Sequence, residues 1–308
     1  MSGFRNGRAA SSRSRSRSGS RTTCTARDGD IRTDKVSAAM VGRLTVETLD
    51  PLWRLLENMR TASQVPEEFD EMEEEETFRA CPHHGVHLLK TSGDCSFVSQ
   101  ISGVVPGQTW LWADDEETLA VFDDAAESLL HKLPPALHTQ LMLYTASLSI
   151  VTGDVAGDDS KWHVDWHGVP KNLSWTLLIP LWPRDDSNWK SLGGTQLCVM
   201  DHALPQAKSV SSTAEKSAKA VLAEAAALLP NWAEHSVIEH GYQLGECLLF
   251  EGHVLHRTGP YDAPTGNASQ RVLASLMVGP KDLAHWPAVC RSLHKQGACF
   301  IRDPNAAR

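Results

Sequence analysis

His163-Val-Asp165 places an imidazole and a carboxylate two residues apart, just ahead of the apolar segment Leu173 to Trp182. In a strand, residues with that spacing share a face. One histidine and one carboxylate side by side are two-thirds of the set that holds non-heme Fe(II) while leaving coordination positions open. The pattern is short, so its meaning depends on a third ligand and on an anchor for a cosubstrate. The run Gly245-Glu-Cys-Leu-Leu-Phe-Glu-Gly-His-Val-Leu-His-Arg-Thr-Gly259 offers the ligand, because an apolar strand there delivers His253 and His256 to a turn. Three apart in one strand, these two would face opposite sides. His256, at the strand end before Arg257-Thr-Gly, is the preferred ligand and His253 the alternative.

The anchor candidate is Arg271, which opens the apolar run Val272 to Val278. A guanidinium buried in such a strand needs an anion, and it binds a carboxylate through two parallel, charge-assisted hydrogen bonds. A dicarboxylate such as 2-oxoglutarate would meet that need, with Ser269 and Ser275 on the same face. The plainer reading puts Arg271 at a sheet rim, bridged to an acid.

His163-x-Asp165, Gly193-Gly194, the strand Gly245 to Phe250, His256, Asn267-x-Ser269 and Arg271 occur in one order. Together they resemble the Fe(II)/2-oxoglutarate-dependent oxygenases, most closely the phytanoyl-CoA dioxygenase-like branch, over about residues 141–280. The resemblance implies a double-stranded β-helix, or jelly roll, with Fe(II) held by His163, Asp165 and His256. It implies that Arg271 binds the distal carboxylate of 2-oxoglutarate and that Trp182 lines the cosubstrate site. It further implies that O2 and 2-oxoglutarate are consumed, succinate and CO2 released, and a small organic or lipid-like substrate hydroxylated. Related halogenases carry a small residue where Asp165 stands, so the carboxylate points to hydroxylation. Two features depart from the family: Gly193-Gly-Thr-Gln-Leu-Cys-Val-Met-Asp-His202 replaces a Pro-Gly-Ser-His stretch, and the His256 to Arg271 spacing is long. A non-catalytic cupin-like metal- or ligand-binding barrel would explain the strands but not this order of donors. A JmjC-like protein hydroxylase would ordinarily use a lysine anchor, and Arg271 speaks against it.

The elements that must position these residues follow from composition and periodicity. The chain has 308 residues, 41% of them apolar. The fold class expected is mainly β with helices (α+β). Residues 1–35, rich in Ser and Arg, read as a disordered tail, and 36–308 as one oxygenase domain. Within it, 36–140 read as a helical support region, 141–280 as the β core and 281–308 as a C-terminal helix. Asp50-Pro51 should start a helix. Residues 114–133 read as a second helix, Ala214 to Leu229 as a third and Asp282 to Gln296 as the last. Strands are expected at Leu141–Val151, Leu173–Trp182, Gly194–Met200, Ser236–His240, Gly245–Phe250 and Arg271–Val278. Trp162 and Trp166 should pack into the core, and His167 should share the face of the His163/Asp165 pair if the strand continues. Substrate-selecting loops are sought at 83–112, 154–161, 183–192 and 259–268.

Charge and cysteine usage bound the setting. Residues 1–28 hold seven Arg and one Asp, or +6, so the overall charge of −9 leaves −15 on the rest. That acidic body argues against nucleic-acid binding by the folded part. No apolar run is long enough for a membrane span. The seven cysteines are scattered, without a Cys-x-x-Cys pair. They suggest free thiols in an intracellular, cytoplasmic setting, with organellar import by the Arg/Ser-rich N-terminus as the alternative. Cys81-Pro-His-His-Gly-Val-His87 lacks a second ligand pair at zinc spacing and reads as a surface loop.

Overall fold

The strands of this chain divide between two antiparallel sheets. The computed structural model describes residues 39–62, 87–90, 95–101, 108–152, 160, 162–184, 189, 192–199, 208–209, 236–259 and 270–306. The strands are β1 (Ala39–Arg43), β2 (His87–Lys90), β3 (Ser96–Ile101), β4 (Gln108–Ala113), β5 (Leu141–Thr152), β6 (Trp175–Trp182), β7 (Gly194–Val199), β8 (Lys208–Ser209), β9 (Ser236–Gly241), β10 (Glu246–Glu251), β11 (Leu255–Thr258) and β12 (Gln270–Pro280). The large sheet runs β1-β10-β6-β12-β5-β4-β3-β2 and the small one β11-β7-β9-β8. His163 joins the small sheet through a bridge to His256. From β5 onward the chain visits the large sheet (β5), the small (the His163 bridge), the large (β6), the small (β7, then the two-residue β8, and β9), the large (β10), the small (β11) and the large (β12), which is the winding of a double-stranded β-helix.

Strand periodicity decides what each face meets. On β12, Val272, Ala274, Leu276 and Val278 join one buried cluster with Leu177 and Ile179 of β6. Residues of α1 (Val46–Ala62), α2 (Glu116–Ala120) and α3 (Asp123–Leu130) complete that cluster. Leu49, Leu52, Leu55, Leu56 and Met59 give α1 an apolar stripe at helical spacing, each side chain contributing on the order of 2 kcal/mol by its burial. The opposite face of the large sheet sends Leu178, Leu248, Phe250 and Leu273 inward, where they meet Leu197, Ile238 and Tyr242 of the small-sheet side. Arg271, Ser275 and Met277 share the parity of Leu273. A third cluster, with Trp112, Tyr144, Trp166 and Met277, packs against α5 (Trp286–Gln296).

The core strands fall within one or two residues of expectation, but the flanking elements differ. The region 36–140 is not simply helical: β1 to β4 extend the large sheet at both edges. Their sequences are short and interrupted, and it is pairing with β10 and β5 that makes them strands. The helix read at 114–133 is two helices, α2 capped by the Asp115 side chain on the Thr118 N–H, and α3. The first helix begins at Val46 rather than near Asp50, with Thr45 Oγ1 accepting from the Thr48 N–H. Pro51 sits inside this helix, where its missing N–H costs the bond to Glu47. The Ala214 to Leu229 helix lies outside the described residues. Cys95, Cys198, Cys247 and Cys290 are not in disulfides.

Candidate metal centre and anion pocket

His163 and Asp165 do not lie on a continuous strand. His163 makes one two-residue bridge, donating to the His256 carbonyl at 3.0 Å and accepting from the His256 N–H at 2.9 Å. The chain then bends at Asp165. The shared face comes from this bridge and from three anchors on the following residues. Trp166 is fully buried and its N–H donates to the Gly252 carbonyl at 3.1 Å. A Cβ at Gly252 would lie 1.9 Å from the Trp166 ring, so only glycine allows the approach. The Asp165 carbonyl accepts from Ser292 Oγ at 3.0 Å and from Gln296 Nε2, both on α5. The same Ser292 hydroxyl accepts from the His167 N–H at 2.9 Å. The His167 side chain is exposed, and the bend removes it from the face it was expected to share.

Three donor atoms, from His163, Asp165 and His256, lie within 4.8 Å of one another. Asp165 Oδ1 is 3.8 Å from His163 Nε2, and Oδ2 is 3.5 Å from His256 Nε2. Asp165 and His256 are buried, while His163 is partly open to the exterior. His256 Nδ1 lies 2.9 Å from the Val254 carbonyl. That bond puts the ring proton on Nδ1 and turns the Nε2 lone pair toward Asp165. Burial pushes His256 down to about 4 against the pull of Asp165, so its ring is neutral at neutral pH. Phe250 packs on the His256 ring at 4.5 Å between centroids. His253, by contrast, sits in the turn with its Nδ1 3.7 Å from Glu251, apart from the cluster.

Thr176 supports the carboxylate from β6, donating to Asp165 Oδ2 at 2.6 Å. Outer partners of metal ligands are worth ~10–100-fold in metal affinity. Thr176→Val keeps the shape and deletes the donor. It is expected to weaken divalent-metal binding about tenfold in a competition titration against a chromophoric chelator.

Arg271, 1% exposed, points into the interior with Nη1 donating to the Leu192 carbonyl at 3.1 Å. Its guanidinium lies 5.8 Å from the centre of the Tyr242 ring. The Tyr242 hydroxyl is 2.6 Å from Thr195 Oγ1. His240, directly opposite Thr195 in the β7–β9 pair, is fully buried, and neither ring nitrogen has a hydrogen-bond partner. Sequence reasoning passed over Thr195, His240 and Tyr242; the alternation of His240 and Tyr242 along β9 and just past it was the available signal. Leu197 faces His256 across the strand pair. Thr195 is the next inward position on that strand, ~7 Å along. By strand register, about one pleat therefore separates the donor cluster from the group formed by the Arg271 guanidinium and the Thr195 and Tyr242 hydroxyls. Trp182 packs against the helix-side cluster instead, and Ser269 lies outside the described residues.

Burial also holds His240 down to about 4, while an unfolded chain takes up the proton near 6.5. Between those values the unfolded state binds more protons, so stability falls as pH drops from 6.5 to 4. The loss is on the order of 3 kcal/mol for this side chain. Denaturant unfolding of the metal-free protein is expected to show that acid limb, and His240→Gln to reduce it.

No family model matches the chain, and no curated protein matches it in sequence. Among solved structures, the non-heme α-ketoglutarate-dependent epimerase SnoN from nogalamycin biosynthesis superposes with a TM-score of 0.45 at 12% identity, over 80% of this chain and 79% of that one. HygX from Streptomyces hygroscopicus, with nickel, 2-oxoglutarate and hygromycin B bound, gives 0.43 at 12%, over 79% and 83%. A prolyl-4-hydroxylase from Pseudomonas putida gives 0.41 at 11%, over 80% and 94%. At this distance the likeness assigns neither a reaction nor a substrate.

Proposed function

We propose that this chain is an Fe(II)- and 2-oxoglutarate-dependent oxygenase that hydroxylates a small organic substrate. The observation that carries the reading is the separation of about one pleat between the His163/Asp165/His256 cluster and the Arg271 pocket. Two imidazoles and a carboxylate suit Fe(II) and leave three positions open. The neutral His256 ring and the Nε2 lone pair it exposes fit a metal ligand. The buried guanidinium, with the Thr195 and Tyr242 hydroxyls beside it, fits a carboxylate.

Fe(II) and 2-oxoglutarate, when bound, supply oxidative decarboxylation of the cosubstrate coupled to hydrogen abstraction from the substrate. The chain's own residues supply position and exclusion of water. Arg271 would hold one carboxylate of the dicarboxylate, with the Thr195 and Tyr242 hydroxyls beside it. Thr176 and the α5 residues Ser292 and Gln296 hold Asp165 from both its side chain and its backbone. Phe250 and Leu197 keep that part of the interior apolar. The inward face of β5 and β12 carries the hydroxyls of Thr145, Ser147 and Ser275, buried and without hydrogen-bond partners. That lining favours a substrate with hydrogen-bonding groups over an alkyl chain. Placement in the phytanoyl-CoA dioxygenase-like branch rests on the order of sequence motifs alone.

Anaerobic addition of Fe(II) and 2-oxoglutarate should produce the visible metal-to-ligand charge-transfer band of the chelated 2-oxo acid. Absence of that band in folded, iron-loaded protein overturns the reading.

A further inference from the structure

A second group of metal-ligating side chains lies on the outside of the molecule, where the interior site makes no use of it. Glu127 and His131 are four residues apart on α3 and its C-terminal cap, and so share a face. Pro134-Pro135 ends that turn, and α4 (Pro135–His138) brings His138 back beside them. Glu127 Oε1 lies 3.3 Å from His131 Nε2 and 2.9 Å from His138 Nε2. The two imidazole rings are 4.2 Å apart between centroids and tilted by 48°. All three donor atoms fall within 4.8 Å of one another.

We propose that Glu127, His131 and His138 form a surface binding site for a zinc-class divalent cation, separate from the interior centre. Two imidazoles and one carboxylate are a common zinc donor set, completed by water. Bonds of about 2.0–2.1 Å in a tetrahedron put neighbouring donors roughly 3.4 Å apart, against 3.3 Å for Glu127–His131 and 2.9 Å for Glu127–His138, the latter now a hydrogen bond that a cation would replace. The arrangement is built rather than fortuitous, because the corner that carries it is nailed to the core. Leu129, Leu130, Leu133 and Leu137, which bracket both histidines, are each at most 3% exposed. His138 is itself largely buried, at 18% side-chain exposure. The C-terminal end of α3, where His131 sits, also presents the negative end of the helix dipole to a cation. Like any exposed site of nitrogen and oxygen donors, it follows the general affinity order in which Zn(II), Ni(II) and Cu(II) outrank Fe(II). Its occupant would clamp α3 to α4 just ahead of β5.

The test uses Co(II) as the probe, on full-length untagged chain carrying Asp165→Ala to disable the interior cluster. Co(II) binding with the intense visible bands of a four-coordinate ion is expected. His131→Ala or His138→Ala added to that background should each weaken it at least tenfold, and Glu127→Gln by less. Circular dichroism checks that each variant is folded, and the difference between proteins, rather than total stoichiometry, is the readout. Saturating Zn(II) should raise the melting temperature of the Asp165→Ala protein and not of the His131→Ala derivative. Co(II) binding that is unchanged by both histidine substitutions overturns the site, as does its absence from the folded Asp165→Ala protein. Neither outcome bears on the interior centre.

Discussion

Alanine at Asp165 is expected to lower Fe(II) affinity by more than 100-fold while leaving the fold intact. Side chains that only hydrogen-bond to metal ligands already account for ~10–100-fold, and Asp165 is the one anionic donor in its cluster. Its removal leaves two imidazoles, neither able to supply negative charge, facing a divalent cation. The segment should hold its course without the carboxylate, because α5 grips residue 165 through its backbone carbonyl, and Trp166 is locked under Gly252. Asp165→Asn retains an oxygen but no charge and should fall between the two. Competition titration with a chelator measures the affinity, and near-UV circular dichroism monitors the Trp166 packing. Unchanged affinity in Asp165→Ala would remove this residue from the ligand set.

Replacing Arg271 with methionine is expected to weaken 2-oxoglutarate binding by at least 100-fold with little effect on metal affinity. A hydrogen bond to a charged group is worth ~1.5–3 kcal/mol, so a bidentate pair contributes ~3 kcal/mol or more, and each 1.4 kcal/mol is tenfold. Methionine roughly fills the apolar part of the volume, which limits the cavity left beside Tyr242. Arg271→Lys keeps the charge but loses the planar fork, and should recover only part of the loss. The measurement is titration of the charge-transfer band with 2-oxoglutarate at fixed Fe(II). A band that forms equally well in Arg271→Met would move the anion site elsewhere. A parallel loss of metal binding would show that Arg271 acts on the fold rather than on the ligand.

The order of motifs along the chain was enough to propose the ligand set, because each residue belongs to a locally marked strand or turn. Short apolar or β-branched runs bounded by Gly, Pro, Asp and Asn locate β5, β6, β7, β9, β10 and β12 to within a residue or two. The charge buried at Arg271 stands out for the same reason: β12 is otherwise apolar there. The flanking strands β1 to β4 were not legible. They are short, and their partners lie as far away in sequence as β10, so nothing local marks them.

The sequence by itself determined which donors this protein owns and the strands that carry most of them. It could not show that His163 and Asp165 share a face through a bridge and a bend rather than a strand. Nor could it choose His256 over His253 by more than position. Tertiary structure brings His256 beside His163 and Asp165 and leaves His253 near Glu251; orientation past the end of a strand is set by what the chain packs on, here Trp166 beneath Gly252 and α5 on the Asp165 carbonyl. The Thr195–Tyr242 pair beside Arg271, and the meeting of His131 with His138, depend likewise on contacts between elements. Local periodicity carries no information about those contacts.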